Sequence, residues 1–317
     1  MKHTKIKIIT GLAVYVAMLW LLPSAGEAQC TASIGPTTFT SVQAAVNTTG
    51  AGPATINVSG TCNENVLILE RRHNITLNGV GSPTINGTDP TSPTVNVRGR
   101  GITIQGFTIT GGEHRVLVSR GGAAIIHNNT IDGTGSAGGH GILVNQHSSA
   151  RITNNTIQNN PRSGVFVHEG SSARIGFVAA DDTAASPNTI QVNAENGITV
   201  SRSGHTRIVG NLISSNTGDG VRVTRGSHAD VSSNTINGNG GDGILVSQNS
   251  GANLGEDTGT TIFDSPNSTT VNNGGSGIRC RINSYANGRL GTLNGASDAT
   301  DIRRGGPDAD CVNSLIP

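Results

Sequence analysis

Repeats of about 23 residues, strand segments too short to stand alone, and glycine or asparagine punctuation between them predict an all-β fold. That fold is a single right-handed parallel β-helix, a solenoid of about eight or nine coils behind a cleavable leader. Residues 1–28 read as an export signal. Lys2, Lys5 and Lys7 form a basic start, Ile8 to Leu22 an apolar stretch, and Gly26, Glu27 and Ala28 a small-x-small cleavage site. An apolar run of roughly 15 residues falls short of the about 20 needed to span a bilayer, so cleavage rather than anchoring is expected. The expected domains are therefore the signal, 1–28, and one β-helix, 29–317.

Without the leader the chain has no Lys, Met or Trp. It keeps 18 Arg, the 21 basic residues less those three lysines, against 19 acidic residues, the 20 less Glu27. A chain this close to neutral carries no electrostatic footprint for nucleic acid or anionic lipid, both of which call for clustered basic residues. No membrane span is expected after cleavage, and a monomer, secreted or periplasmic, is the expected state. Cys30 with Cys62 and Cys280 with Cys311 fall in two local pairs. In an oxidising compartment each would close a loop of roughly 30 residues, contributing about 3 to 4 kcal/mol in the chain-entropy picture. Such pairs would staple both ends; no His or further Cys lies at zinc-finger spacing from them.

The coil elements follow in order. A Gly-apolar-x-apolar tetrad begins at Gly141, Gly164, Gly197, Gly220, Gly243 and Gly277, with steps of 23, 33, 23, 23 and 34. Two coils thus carry insertions of about ten residues. A second series contains Arg151, Arg174 and Arg207, each after a small residue and before Ile, and continues at Asp230 and Asn253. A third runs Asn129, Asn155, Asn188, Asn211 and Asn234, each two residues before Ile. Three short β-segments per repeat, rich in Ile, Val and Thr with period-two alternation, make a triangular coil. Stacked on its equivalent in the next coil, each gains parallel hydrogen bonds on both sides. Glycine is expected to supply positive φ at the corners, asparagine to tolerate the same conformation, and the stacked asparagines to bond in a ladder. Upstream, Val66 to Ile68, Ile75 to Gly79, Val95 to Val97, Ile102 to Gly106 and Val116 to Val118 extend the pattern. Ser41 to Asn47, with Val42, Ala45 and Val46 at i, i+3 and i+4, predicts a capping helix. Ile302 to Leu315 is expected to close the far end, since a bare terminal coil invites edge pairing.

With these repeats the chain resembles the right-handed parallel β-helix repeat proteins of the pectin-lyase-like superfamily, over nearly all of residues 29–317. The stretch from Ser41 to Val46, with Asn65 to Ile68 and Asn74 to Gly79, is similar to the opening of pectin methylesterases. The resemblance implies the fold and a carbohydrate-linked role. It carries no activity, because similar repeats serve lyases, hydrolases, esterases, epimerases and proteins without chemistry. The methylesterase aspartate motif, the polygalacturonase Asp-Asp pattern with its His-Gly and Arg, and the epimerase Asp-Pro-His are all missing. Asp181 and Asp182 lie in an insertion without such companions and read as a solvated loop tip. Lyases of this fold use calcium-bound carboxylates with an Arg or Lys base. No cofactor is expected to be required, calcium is compatible with that alternative, and the sequence assigns no metal site.

Columns of equivalent positions define the candidate sites. The outward positions of the tetrad strand are Leu143, Phe166, Thr199, Arg222, Leu245 and Arg279; the next are Asn145, His168, Ser201, Thr224 and Ser247. Before each glycine stand His140, Ser163, Asn196, Asp219, Asp242 and Ser276. Asp219 and Asp242, neighbours about one coil rise apart with Arg222 close by, suit a retaining glycosidase or a shared cation, and like charge would raise one pKa. The competing reading is that Asp before Gly caps tight turns. His168 with Glu169 is a second acid-base candidate, provided Glu169 lies in the turn; a solvated surface pair is the alternative. His140 with His147, or His205 with His228, would ligate a metal only if stacking joined them, and two histidines leave a site incomplete. A glycan-binding face would use Phe166, Asn145, Thr199, Ser201 and Thr224, with Phe166 and Tyr285 as the available ring platforms. The sequence thus favours a non-catalytic glycan-binding or envelope component, with a polysaccharide lyase or hydrolase (Asp219, Asp242, Arg222, His168) and a purely structural exported rod as the other classes.

Overall fold

The computed structural model describes residues 29–136, 138–179, 181–255 and 263–296, together with the backbone of Asp298–Ile302 and Val312–Ile316. The expected signal, residues 1–28, lies outside the described residues. Strands of three to six residues stack into three sheets of 13, 8 and 10 strands, named here sheets I, II and III, parallel throughout except where Thr31–Ile34 pairs antiparallel with Thr37–Phe39 and Ala54–Ser59 at the start of sheet I. The chain visits sheet I, sheet II and sheet III in turn within each coil, as in Ala123–His127, Thr130–Asp132 and Ile142–Val144. Registers are strict: Val165 pairs with Ile198, Ile198 with Val221 and Val221 with Ile244.

Alternation within each strand sends Ile and Val inward. Val165, Val167, Ile198, Val200, Val221 and Val223 are all fully buried, and one continuous apolar core runs along the stack. Each buried Val or Ile contributes roughly 1.5–3 kcal/mol relative to exposure. The asparagine ladder is present. Each Asn Nδ2 donates to the Oδ1 of its counterpart one coil on, from Asn129 to Asn155 at 3.1 Å through Asn211 to Asn234 at 3.0 Å, and ends at Asn267. A second ladder, unforeseen in the sequence, joins Asn160, Asn193, Asn216, Asn239 and Asn273 at 2.8–2.9 Å.

The tetrad glycines do not work as expected. None of Gly141, Gly164, Gly197, Gly220, Gly243 or Gly277 has positive φ. They are small because the next coil crowds them: a Cβ on Gly220 would sit 2.5 Å from Ile236 Cγ2, 2.7 Å from the Gly243 carbonyl oxygen and 3.0 Å from Asn239 Nδ2 of the second ladder. Positive φ falls one residue before the first ladder, at Asn128 and Asn154. It recurs at the corner from sheet III into sheet I, at Gln146 and His147 and at Arg202 and Ser203.

The N-terminal end is closed by helix Val42–Thr48, which buries Val42, Ala45 and Val46. Ser41 caps it, accepting from the Ala44 amide at 3.1 Å. The Glu64 carboxylate accepts the Val42 and Gln43 amides at 2.7 and 2.9 Å, placing negative charge where the helix leaves its first N–H groups unpaired. The neighbouring disulfide joins Cys30 and Cys62. Cys280 is also disulfide-bonded; Cys311 lies outside the described residues. At the far end Asp298–Ile302 and Val312–Ile316 continue sheets III and I as further parallel strands. Among the described residues no helix is long and apolar enough to cross a membrane.

Candidate glycan-binding groove

The expected outward column of sheet III is in register: Leu143, Phe166, Thr199, Arg222, Leu245 and Arg279 follow one another coil by coil. Strand stacking spaces them by about 4.8 Å. Over Phe166, Thr199, Ser201, Arg222, Thr224 and Ser247 the surface opens into a groove of ≈ 720 Å³. Its lip comes from the sheet II to sheet III loops through Arg162 and Glu195, whose ion pair measures 3.4 Å. Arg225 and Arg281 line the other side.

One end of the groove carries an aromatic row. His114 and His140 stack with centroids 5.6 Å apart, His140 meets Phe166 at 4.7 Å, and Phe166 stacks on His168 at 4.6 Å. Burial holds the imidazoles neutral: it lowers His114 to about 4 and His140 to about 3, and lowers His168 as well. His114 Nδ1 also accepts the His140 amide at 2.9 Å, which a protonated Nδ1 could not do. The sequence names Phe166 as a platform but not its imidazole neighbours. Their signal was His114 and His140 at the same column offset, one coil apart. Tyr285, the other ring candidate, lies on sheet I and cannot share a platform with Phe166.

Asp219 and Asp242 do stack on adjacent coils, but both Asp219 oxygens and Oδ1 of Asp242 are engaged. Asp219 Oδ1 accepts the Asp242 amide at 2.8 Å, and Asp242 Oδ1 the Ser276 amide at 2.7 Å. Asn196 begins the same series by accepting the Asp219 amide. Arg222 Nε donates to Asp219 Oδ2 at 2.8 Å, and Arg279 lies 3.1 Å from Asp242. The Asp242 pKa is raised, chiefly by burial, with the Asp219 charge a lesser cause. Both residues are almost fully buried, 4% and 6% exposed, and neither lines the groove.

His168 is buried, its Nδ1 3.7 Å from Glu169 and without a hydrogen-bond partner. Glu169 does lie in the turn, with φ of 54°, and also approaches Arg202 at 3.7 Å. Asn145 is half-buried outside the groove lining. His147 sits in the corner turn, apart from the His140 stack. His205 and His228 stack at 5.2 Å, and His228 Nε2 lies 3.1 Å from Asp230. Among the described residues, the group of three potential ligands that converges is Cys30, Cys62 and Glu64, whose sulfurs form the disulfide and whose carboxylate caps the helix. Asp182 caps its own loop through the Val178 and Ala179 amides, while Asp181 is exposed.

The family described as right handed beta helix region matches residues 54–179, 93–258 and 140–289, together most of the chain. The chain belongs to this family. Among solved structures it is similar to the AlgE6 A-module, a mannuronan C-5 epimerase of Azotobacter vinelandii, at 14% identity and a TM-score of 0.38. That likeness covers 81% of this chain and 92% of the other. No curated protein matches the sequence.

Proposed function

We propose that this β-helix is an exported envelope or matrix component, secreted or periplasmic and monomeric, that binds a glycan along sheet III without turning it over. The observation that carries the reading is the neutral ring row of His114, His140, Phe166 and His168, of which Phe166 lines a trough of hydroxyls and guanidinium groups. Ring faces receive the apolar face of a sugar at low entropic cost. Ser201, Thr224 and Ser247 follow at intervals of one coil, as do Thr199 and Arg222; the oxygens accept, and Arg222 keeps its terminal N–H groups beyond the Nε bond to Asp219. Weak contacts repeated along a polymer add through effective concentration.

The enzymatic alternative assigns Asp219 and Asp242 as the carboxylate pair, with Arg222 and His168 assisting. A retaining glycosidase needs two carboxyl groups facing the scissile bond. Asp219, with both oxygens bonded, and Asp242, with Oδ1 on the Ser276 amide, fit a structural ladder better, because withdrawing these oxygens would strand buried donors. The test is incubation of the purified chain with a glycan panel in calcium, following reducing ends and unsaturated uronide absorbance. Binding without product supports the proposal. Product that disappears in Asp219→Asn or Asp242→Asn would make the chain an enzyme, and absence of any binding would leave a structural rod.

A further inference from the structure

Sheet I carries a feature that the groove does not use. Arg151, Arg174 and Arg207 occupy one outward column in unbroken register. Three guanidinium groups therefore stand in a straight row along the solenoid axis, about 4.8 Å apart at their backbones. Like charges on directly neighbouring strands destabilise a sheet, and internal compensation here is slight. Arg151 is exposed and has no ion pair or hydrogen bond among the described residues. Arg174 donates to the Val178 carbonyl at 2.7 Å and lies over the Phe177 ring, neither of which neutralises it. Arg207 faces a carboxylate, Asp230, at 3.5 Å, shared with His228 and Asn253, and Asp182 exerts a weaker attraction on Arg174 than its arginine neighbours exert repulsion.

The adjacent outward column is built from small residues. Ala123, Ser149 and Ser172 pair in sequence and leave a trough of ≈ 490 Å³ beside the arginines, reaching His205. Both ends of the row are fixed by the sequence of the column: Ile125 precedes Arg151, and Asp230 follows Arg207. We infer that this row and trough form a second binding site, distinct from the groove of sheet III, for a linear acidic polysaccharide bearing one anionic group per sugar.

The match is one of period and geometry. An extended sugar chain laid along the axis advances by about one ring per coil, so each guanidinium meets one anionic group and pairs with it through two parallel N–H bonds. Asp230 repels a fourth anion, which sets the site at three sugars. Duplex nucleic acid fits less well, because its phosphates wind away from a straight row, and the exposed His205 ring in the trough is stacked on His228.

The inference does not depend on the sheet III proposal, and its test separates the two. Polygalacturonate, dextran sulfate and neutral dextran are titrated against the wild type, Arg151→Gln/Arg174→Gln, and Phe166→Ala, with circular dichroism as the check on folding. Arg151→Gln alone, at an exposed position, is included in case the double variant misfolds. The expected result is binding of one or both acidic polymers but not neutral dextran at this site. Affinity should fall about tenfold or more in the double variant, at least severalfold in Arg151→Gln, and change less than about twofold in Phe166→Ala. Preference between carboxylate and sulfate is read from the two acidic polymers, and affinity for acidic oligomers should stop rising beyond three sugars. Equal binding by wild type and arginine variants, loss only in Phe166→Ala, no acidic-polymer binding at all, or tighter arginine-dependent binding of duplex DNA would each overturn it.

Discussion

Replacing His140 with Phe should remove a defined part of the acid sensitivity of this fold. His114 and His140 are held at about 4 and about 3, against 6.5 for an exposed imidazole, mainly by burial. The unfolded chain then binds more protons than the folded one between those values and 6.5. Stability is therefore full above pH 6.5 and is lost as pH falls through this window. At pH 5 both imidazoles remain neutral in the fold while both are protonated in the unfolded chain. Each then costs roughly 1.36 kcal/mol for each of the 1.5 pH units below 6.5, or about 2 kcal/mol, and the pair about 4. Phe keeps a ring against Phe166 and cannot titrate, and His114 retains its own burial. Whatever the variant gains or loses at pH 7, its fall in unfolding free energy from pH 7 to pH 5 should be smaller than the wild type's by about 2 kcal/mol. Denaturant titration at the two pH values, followed by far-ultraviolet circular dichroism, measures this. An equal fall in both proteins would refute the claim that His140 is buried and neutral.

Three further outcomes follow from the coil geometry. Gly220→Ala should destabilise the fold by about 1–3 kcal/mol through overpacking, although its φ is ordinary, because the added Cβ meets Ile236, Asn239 and the next coil; an unchanged thermal midpoint would contradict the proximity argument. Asn211→Ala breaks the first ladder in its middle and strands the Asn188 amide and side-chain donors, costing several kcal/mol by denaturant titration. Val223→Asp places an unpaired charge in the core and should unfold or strongly destabilise the chain; a soluble variant with the wild-type midpoint would contradict the inward placement of this residue.

The fold was legible because each coil repeats the same solution. The inward Ile and Val, the first asparagine ladder and the capping helix all leave periodic marks, and even the column order of sheet III can be counted from one glycine to the next. The site was legible as positions, not as contacts. That Asp219 and Asp242 stack follows from spacing, but that their oxygens accept main-chain amides depends on the direction of each side chain. Asn196, accepting at the same column position, was the clue that a ladder rather than a catalytic pair occupies it. The glycines were assigned the wrong physical reason because positive φ and absence of Cβ leave the same letter in the sequence. Arg162 and Glu195 stand two residues before Gly164 and Gly197, in a column that could be counted, but that they reach across one coil to pair depends on side-chain direction. The arginine row was visible as a series, yet its meaning needed the small neighbouring column that leaves the trough open.

The most direct test of the central claim is calorimetric titration of a glycan panel into the wild type and Phe166→Ala, with the product assay run on the same samples. The account predicts saturable binding of at least one polymer or oligosaccharide, weakened about tenfold or more by Phe166→Ala, with no bond cleaved. Binding indifferent to Phe166, or turnover of the bound glycan, would contradict it.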